Sequence, residues 1–459
     1  MRKPRSALPE RALQAMPPAR RAAYLTLEQC RGKSGAAGAP LQACLDQVLR
    51  AARLGPLDAA LATNLAYGLP RFKERLEWLL HRFLKRPERI IPAHKDILLL
   101  AAYELVFLDA VPPYASLNWA VDAAKAAFGP TLGALTNAVL RKVADLGEKA
   151  RSYAFFASEI KDRRELYSVW HCQPTWLINH FRGCYPEPEA RAYLEAFTSE
   201  AVIGVRLNAR KPGQAALAAE LAKAEGCLAA QGPGLLFSAA HKPAALEQLI
   251  REGRASRQSY AAQEALTALL NMAAVDPDFS AALQSGIWDA CAGHGGKTCA
   301  LLEQGIQVKL ASDAHSGRLK GFRDDLARLG LMDAAPALVV ADAAAPCPLQ
   351  VCPPVILADV PCSGLGTLGR RPDIKFNRKP EDLPALAALQ KRILNNLYAC
   401  LPPGGWLLYL TCTLNPAENE HQITGLLDRE PKAKLVGARQ TPPDSPAREF
   451  FYGAVVRKA

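Results

Sequence analysis

Apolar residues recur at helical spacing through the first third of the chain. Between residues 18 and 147 they return about every three to four positions, as at Leu76, Leu79, Leu80 and Phe83, which is the period of an amphipathic helix. Glycine and proline interrupt this pattern and predict breaks between helices, which fall at residues 32–40, 55–56, 68, 91–92 and 112–113. The pattern predicts a bundle of about six or seven short helices.

The pattern changes after residue 150. Residues 151–255 mix strand-like and helix-like stretches irregularly, which is typical of a small α+β domain. From residue 256 onward, short apolar strands alternate with helices, and the strands are predicted at residues 286–289, 308–313, 337–342, 355–360 and 406–411. Apolar strands in alternation with helices predict a parallel, doubly wound sheet. Two further strand-like runs, 434–436 and 450–456, predict an antiparallel pair that closes it.

These patterns divide the chain into three predicted domains. Residues 1–150 form an all-α helical bundle, residues 151–255 a small α+β linker domain, and residues 256–459 an α/β, Rossmann-like domain. The length of 459 residues suits this number, since domains usually have about 100–200 residues each.

Positive charge is concentrated in the first of these domains. The whole chain has 56 lysines and arginines against 44 aspartates and glutamates, a net charge of +12. Residues 1–150 hold 22 of the basic and 13 of the acidic residues, and therefore contribute +9 of that charge. A basic helical domain suggests a polyanion as partner, and nucleic acid is the first candidate. A solvated basic surface with no such partner is the alternative.

Other features exclude several classes of protein. The longest apolar run, 97–108, is too short to span a bilayer, and the N-terminus lacks the apolar stretch of a secretory signal. We therefore expect a cytoplasmic protein with no membrane contact, whose 12 cysteines are reduced. No Cys-x-x-Cys pair occurs, so no metal site is predicted.

Aspartate residues stand at the ends of four predicted strands, at Asp289, Asp313, Asp342 and Asp359. A single aspartate in such a place is usually a helix cap or a turn former. Four of them indicate a site, because open α/β sheets bind ligands at the carboxyl ends of their strands. Asp289 begins a glycine-rich turn, DACAGHGGKT, and Asp313 lies where a ribose diol is commonly bound. This combination predicts a cofactor that contains a nucleoside.

Two cysteines follow predicted strands at the same edge of the sheet. Cys362 lies in the run DVPCSGLG, and Cys412 lies in LTCT, which the run ENE follows at 418–420. A thiolate in such a crevice can act as a nucleophile. Two thiols, an acid and a nucleoside cofactor suit methylation of a pyrimidine at C5. That carbon becomes nucleophilic only after a thiolate adds at C6, and a base must then remove the C5 proton.

Residues 256–459 resemble the catalytic domain of the NOL1/NOP2/Sun family of RNA cytosine-C5 methyltransferases. The resemblance rests on the runs just quoted and on RRPDIK at 370–375. Residues 1–150 resemble a NusB-like RNA-binding domain, through the runs NLAYG (64–68), VPPYA (111–115) and NAVLRK (137–142). The middle segment matches as well, at 174–176 and 206–208. The resemblance implies S-adenosylmethionine-dependent methylation of a cytosine in RNA, with 16S ribosomal RNA as the expected partner, by a monomer.

The resemblance also implies a role for each motif residue. Cys412 is the C6 nucleophile, Cys362 aids product release, and Asp359 contacts the N3/N4 edge of cytosine. Residues of the first three strand ends and Asp359 hold the cofactor, namely Cys291, Ala292, Gly293, His294, Gly295, Gly296, Lys297, Asp313, Asp342 and Asp359. The family usually has proline in place of His294 and Asp-Gly in place of Arg448-Glu449.

Several points stay open on the sequence alone. Arg370, Arg371 and Lys375 are predicted to contact RNA phosphates, with solvated side chains as the alternative. Arg206 and Asn208 either support the RNA path or only shape a turn. The roles of the two cysteines could be reversed. The substrate could be another RNA, such as transfer RNA, and a non-catalytic NusB-type RNA-binding or assembly factor is the alternative to an enzyme.

Overall fold

The computed structural model describes residues 7–31, 39–346 and 349–459, which fold into two compact units. One unit contains Met1–Gly183 together with the short segment Arg371–Asn377. The other contains Cys184–Arg370 and Arg378–Ala459. The division into three domains at residues 150 and 255 stays a prediction, because one compact unit can comprise more than one domain.

The first unit is helical and is called the helical unit below. Most of its longer helices begin with proline, which suits the first helical turn because it lacks an N–H that would have no partner there. The predicted breaks at 55–56, 91–92 and 112–113 are confirmed, whereas the break at 32–40 lies mostly outside the described residues. Its helices are α1 (Glu10–Gln14), α2 (Pro18–Cys30), α3 (Leu41–Ala52), α4 (Pro56–Phe83), α5 (Pro92–Phe107), α6 (Pro113–Phe128), α7 (Pro130–Ala144), α8 (Tyr153–Glu159), α9 (Arg163–His171) and α10 (Thr175–Cys184), which ends at the unit boundary.

The predicted break at Gly68 is wrong. Helix α4 runs without interruption through Gly68 and Pro70 and has 28 residues, so it is not short either. Gly68 faces Tyr103 of α5, and a Cβ atom at position 68 would lie 2.0 Å from the tyrosine hydroxyl. The glycine therefore permits the close approach of two helices rather than a turn. Helix α5 is mostly apolar, has few exposed positions and contributes many residues to the main core of the bundle.

The second unit begins with a helix and a small antiparallel sheet. Strand β1 pairs with both β3 and β4, which gives the order β2-β3-β1-β4. The mixed character predicted for this stretch is confirmed from residue 202 onward, whereas residues 151–200 are helical. The elements are α11 (Glu187–Thr198), β1 (Val202–Leu207), α12 (Gln214–Leu221), β2 (Cys227–Gln231), β3 (Gly234–Ser238), α13 (Leu246–Arg251) and β4 (Ala255–Arg257).

A seven-stranded sheet with the order β10-β11-β9-β8-β5-β6-β7 forms the rest of this unit. Strands β5 to β9 are parallel to one another, and β10 and β11 are antiparallel, which confirms the doubly wound sheet and its closing pair. The elements are α14 (Tyr260–Ala273), α15 (Pro277–Gln284), β5 (Ile287–Asp289), α16 (Gly296–Glu303), β6 (Val308–Asp313), α17 (Ser316–Leu329), β7 (Ala337–Val340), β8 (Val355–Asp359), α18 (Ile374–Asn377, in the helical unit), α19 (Asp382–Cys400), β9 (Trp406–Thr411), α20 (Glu420–Arg429), β10 (Ala433–Gln440) and β11 (Tyr452–Lys458).

Both faces of the central strands are buried. Ile287 and Val355 pack into one apolar cluster, while their neighbours Trp288 and Ile356 pack into another on the opposite face. The carboxyl ends of β5, β6, β8 and β9 lie along one edge of the sheet, because these strands are parallel. Across the described parts of the chain, every helix is too short or too polar to cross a bilayer.

Candidate functional site

Two cysteine-bearing turns meet at the carboxyl edge of the sheet. Cys412 directly follows β9, and Cys362 lies three residues beyond the end of β8, its parallel neighbour. Their sulfur atoms are 3.2 Å apart, and the N–H of Cys412 points to the sulfur of Cys362 at 3.4 Å. The prediction that both thiols lie together at one edge of the sheet is thus confirmed.

Glycine at position 366 lets the Cys362 turn lie against the Cys412 turn. The N–H of Gly366 donates to the carbonyl of Cys412 at 3.0 Å, and its carbonyl accepts from the N–H of Phe450 at 2.9 Å. A Cβ atom at this position would come within 2.0 Å of the Phe450 carbonyl oxygen. Any larger residue would therefore push the two turns apart.

The surroundings raise the pKa of Cys362 and also that of a third thiol nearby, Cys291. The hydrogen bond to Cys412 and then burial raise the pKa of the Cys362 thiol well above its ordinary value. Burial, followed by Asp289, Asp359, Asp313 and Asp342 in that order, does the same to the pKa of Cys291. Cys291 therefore stays a neutral thiol, and its sulfur is a poor nucleophile. For the pair, two negative charges so close together are strongly unfavourable, so only one thiol ionises at a time.

A cation lies beside the thiols. The ammonium group of Lys297 donates a hydrogen bond to Oδ2 of Asp359 and lies 5.8 Å from the centre of the Phe451 ring. Burial by itself would lower the pKa of Lys297, but the ion pair with Asp359 outweighs it and, together with Cys412, raises that pKa. Lys297 thus stays charged and paired with Asp359 in the neighbourhood of Cys412.

All four strand-end carboxylates raise the pKa of the same thiol, that of Cys291, so all four lie in its neighbourhood. Asp313 holds the glycine-rich loop, because its Oδ2 accepts the N–H of Gly293 at 3.0 Å and its Oδ1 accepts that of His315 at 2.8 Å. Gly293 has a φ of +58°, and no described atom lies within 4 Å of where its Cβ would be. The loop therefore leaves its backbone open on that side.

Asp289 is predicted at the strand-end site but is not among the residues expected to hold the cofactor. It is buried at the end of β5, and its Oδ2 accepts the Thr298 hydroxyl at 2.6 Å. Its Oδ1 has no donor in full hydrogen-bonding geometry among the described residues, although the backbone N–H of Cys291 lies near enough to lower the pKa of this carboxyl. A buried acceptor without a well-aligned donor, inside a group of four carboxylates, fits a ligand that is cationic and carries N–H donors. S-adenosylmethionine has both properties, so the residues present fit this cofactor.

The variant Asp289→Asn is expected to be more stable than the parent protein when no cofactor is bound. Burial raises the pKa of Asp289 to about 6 from 3.8, so the folded protein binds this proton more tightly than the unfolded chain. The cost of ionising the buried acid is absent at low pH and grows as the pH rises from about 4 to 6. At about pH 7.5, thermal unfolding should therefore show a gain of about 1–3 kcal/mol.

This gain in stability should shrink as the pH falls towards about 5, because the carboxyl group of Asp289 in the parent protein is then protonated and neutral. Asp333→Asn is the matched control, since Asp333 is exposed and paired with Arg210. A gain that is the same at both pH values, or no gain at all, would contradict this account of Asp289.

The variant Asp313→Ala is expected to bind S-adenosylmethionine more weakly by about 1.5–3 kcal/mol, the scale of a hydrogen bond to a charged group. The change removes the acceptor proposed for the ribose hydroxyls and also releases the N–H of Gly293. Titration calorimetry of the full chain measures this, with Asp333→Ala as control. Wild-type affinity in Asp313→Ala would assign Asp313 to the loop alone.

Lys375 does not have the environment predicted for it. Its side chain is buried within the helical unit, where the ammonium group contacts Glu74 at 2.5 Å and the carbonyl of Cys172 at 2.6 Å. It is therefore neither solvated nor accessible to an RNA phosphate, and both expectations are wrong. Arg370 is exposed and pairs with the buried Glu449, and Arg371 is exposed. Their contact with RNA stays a prediction.

Arg206 and Asn208 are buried, and each holds backbone segments of the second unit together. Arg206 forms a bidentate ion pair with Glu303, at 2.7 and 2.9 Å, and donates to the carbonyl of Gly296 at 2.8 Å. It therefore holds both ends of α16, the helix that follows the glycine-rich turn.

The Asn208 amide donates to the carbonyls of Gly253 and Leu329. A direct contact of either residue with RNA is excluded by this burial.

The two departures from the family pattern have different surroundings. His294 is exposed at the tip of the glycine-rich turn. Arg448 takes up a left-handed backbone conformation with a φ of +54°, which is uncommon for a residue with a side chain. Glu449 is buried, and its carboxylate accepts from Arg370. The negative charge of Glu449, which stands where the family has glycine, is thus paired with Arg370 of the same unit.

Known proteins share this architecture and these sequence features. Residues 280–449 match the family model for 16S rRNA methyltransferase RsmB/F, and residues 17–145 match the NusB family. Ribosomal RNA small subunit methyltransferase B from Vibrio cholerae serotype O1 is 33% identical over 88% of this chain and 91% of its own length. The protein of that name from Escherichia coli O6:K15:H31 is 30% identical over 87% and 91%. The crystal structure of PH0851 has the same fold, with a TM-score of 0.71 and 19% identity over 98% of this chain and 99% of its own.

Proposed function

The chain belongs to the RsmB/F family of 16S rRNA methyltransferases, and we propose that it methylates C5 of a cytosine in 16S ribosomal RNA through a covalent adduct. Membership makes it an RNA methyltransferase that uses S-adenosylmethionine and binds RNA. What we propose beyond membership is that the base is cytosine, that C5 is the methylated carbon, and that the reaction passes through a covalent adduct. The observation that carries it is the pair of thiols, Cys362 and Cys412, in contact at 3.2 Å beside Asp359 and Lys297.

Cys412 acts as the nucleophile. Its thiolate adds to C6 of the ring, so that the electron pair of the C5–C6 double bond moves to C5. When bound, S-adenosylmethionine would supply a methyl group on a positively charged sulfur: C5 would bond to that methyl group as the methyl–sulfur bond breaks, and the neutral thioether S-adenosylhomocysteine would leave. The ring now carries both a methyl group and a proton on C5, and it stays bonded to the protein until that proton leaves.

Cys362 completes the reaction. In the resting site its raised pKa keeps it protonated beside the Cys412 sulfur. Once Cys412 is bonded to C6 it carries no charge, so Cys362 can lose its proton to solvent without facing a second thiolate. It then takes the proton from C5, the C5–C6 double bond forms again, and the C6–sulfur bond breaks. Cys412 leaves as a thiolate, and the methylated RNA is released.

Asp359 selects cytosine over uracil. A carboxylate accepts a hydrogen bond from the N4 amino group of cytosine, whereas the O4 atom of uracil is an acceptor and would repel it. Lys297 donates to one carboxylate oxygen of Asp359 and so fixes its orientation.

The cofactor binds over the glycine-rich turn. Cys291, Ala292, Gly293, His294, Gly295, Gly296 and Lys297 present backbone groups along this turn, and Asp313 and Asp342 follow the next two strands. Asp289 is buried at the start of the same turn, where its carboxylate adds to the acidic surroundings. The carboxylates complement the cationic groups of the ligand and leave the thiols to react with the base.

The substrate is ribosomal RNA in this proposal, on the strength of the relatives' names and of the basic helical unit. Transfer RNA is the alternative, and the sequence of the target is open. Bisulfite sequencing tests both, because 5-methylcytosine resists the deamination that converts cytosine to uracil. Total RNA from a deletion strain is compared with RNA from the strain supplied with the intact gene or with Cys412→Ala.

A single 16S position that stays cytosine only with the intact gene would support the proposal. A protected position in transfer RNA would move the activity to that substrate. No difference between the strains, together with no methyl transfer by the purified protein, would favour a non-catalytic RNA-binding factor.

A further inference from the structure

A buried polar network lies beneath the two thiols. Its members are on the cysteine turns, on α19 and on the short 3₁₀ helix Pro416–Glu418 that follows Cys412. Six polar side chains take part, all of them at most 4% exposed, namely Ser363, Gln390, Thr413, Asn415, Glu418 and Asn419. Buried polar groups are costly unless they are satisfied, so a connected network of this size indicates a constraint on position.

Glu418 joins the two cysteine turns through one carboxylate. Its Oε2 accepts the N–H of Ser363, the residue after Cys362, at 2.8 Å, and the amide of Gln390 at 2.9 Å. Its Oε1 accepts the amide of Asn415, three residues after Cys412, at 2.9 Å. The Gln390 amide also donates to the carbonyl of Pro361 at 2.9 Å. Cys362 is therefore held on both sides.

Asn419, the residue after Glu418, holds the Cys412 turn in the same way. The hydroxyl of Thr411 donates to Oδ1 of Asn419 at 2.5 Å, and the Asn419 amide donates to the carbonyl of Thr413 at 2.9 Å. The hydroxyls of Ser363 and Thr413 lie 2.7 Å apart and link the two turns directly. The residues on either side of each sulfur are thus fixed by a single network centred on Glu418 and Asn419.

We propose that Glu418 is a positioning residue, whose carboxylate sets the distance between the two thiols and thereby the rate of the covalent steps. The proposal rests on the proposed function for its catalytic consequence, but its geometric content does not. Three N–H donors converge on Glu418, and only a carboxylate offers acceptors to all three. Its negative charge also contributes to the raised pKa of Cys362, after the hydrogen bond and burial.

The test uses Glu418→Gln in the full chain. The new amide keeps one acceptor for Ser363 and Gln390 but turns an N–H towards the Asn415 amide, where two donors then face each other. The double variant Glu418→Gln/Asn415→Asp restores an acceptor at that point and also the net charge. Asn415 accepts the N–H of Ala417 through its Oδ1, and an aspartate retains that acceptor.

Thiol spacing is read out by dibromobimane, a reagent that bridges two neighbouring thiols and becomes fluorescent. Mass spectrometry identifies the bridged pair, and Cys412→Ala gives the background. We expect Glu418→Gln to slow bridging of Cys362 and Cys412 by about tenfold or more, and to lower kcat similarly while KM for S-adenosylmethionine stays within about twofold. The double variant should recover both to within about threefold of the parent.

Two results would overturn the proposal. One is wild-type bridging and kcat in Glu418→Gln. The other is a loss that the double variant fails to recover and that follows the fraction of folded protein, measured by circular dichroism. If bridging depends on Glu418 as expected but the parent protein methylates no cytosine, the positioning role stands and the proposed function fails.

Discussion

Cys412→Ala is expected to abolish methyl transfer to RNA, with a loss of about 10⁴-fold or more, because the variant lacks the thiolate that is proposed to attack C6. The thiol of Cys291 is held neutral by burial and by four carboxylates, so it offers no substitute. Transfer of a tritiated methyl group to RNA measures this loss. Cys227→Ala is the matched control, since Cys227 lies in β2 of the small sheet.

Residual activity of Cys412→Ala at one hundredth of the parent rate or higher would rule out Cys412 as the nucleophile. Binding of S-adenosylmethionine should stay within about twofold in the same variant, which separates loss of chemistry from loss of the fold.

Cys362→Ala is expected to methylate one RNA molecule and then stall. Addition of Cys412 to C6 and formation of the methyl bond do not require Cys362, but removal of the C5 proton does. The protein should therefore accumulate as an adduct in which methyl groups, RNA and protein occur in equal amounts, while turnover falls by about 10³-fold or more. Incorporation of labelled methyl groups into material that resists denaturant measures this. Normal turnover without an adduct would assign release to another base.

The local pattern of apolar residues predicted the elements of the fold, because the period of a helix or a strand is visible within a short stretch of sequence. The strands near residues 287, 308, 355 and 406 and the closing pair appear where apolar runs indicate them. Gly68 shows the limit, since glycine is read as a break when no tertiary contact is known. Its contact with Tyr103 of α5 lies beyond any local pattern.

The site was predictable to the extent that topology determines it. Parallel strands bring their carboxyl ends to one edge, so Asp289, Asp313, Asp359 and Cys412 could be expected there without knowledge of any distance. Pairings between distant residues were not predictable. Lys375 meets Glu74, 301 residues away in the chain, and a lysine in a basic motif looks solvated in sequence.

One residue of the network under the thiols, Gln390, could have been recognised in the sequence. Gln390 is three residues before Ile393, on the apolar face of α19, and both are buried. A polar residue at a core position must find partners. Its partners, Pro361 and Glu418, lie 29 and 28 residues away, so only the folded chain shows what it does.

The double variant Cys362→Ala/Cys412→Ala tests the central claim most directly. Labelled RNA is incubated with S-adenosylmethionine and each of the two single variants or the double variant, and it is then run on a denaturing gel. The account predicts a slow-migrating protein–RNA band for Cys362→Ala alone, and none for Cys412→Ala or for the double variant. A band for Cys412→Ala that disappears in the double variant, with none for Cys362→Ala, would show that Cys362 is the nucleophile and contradict the account.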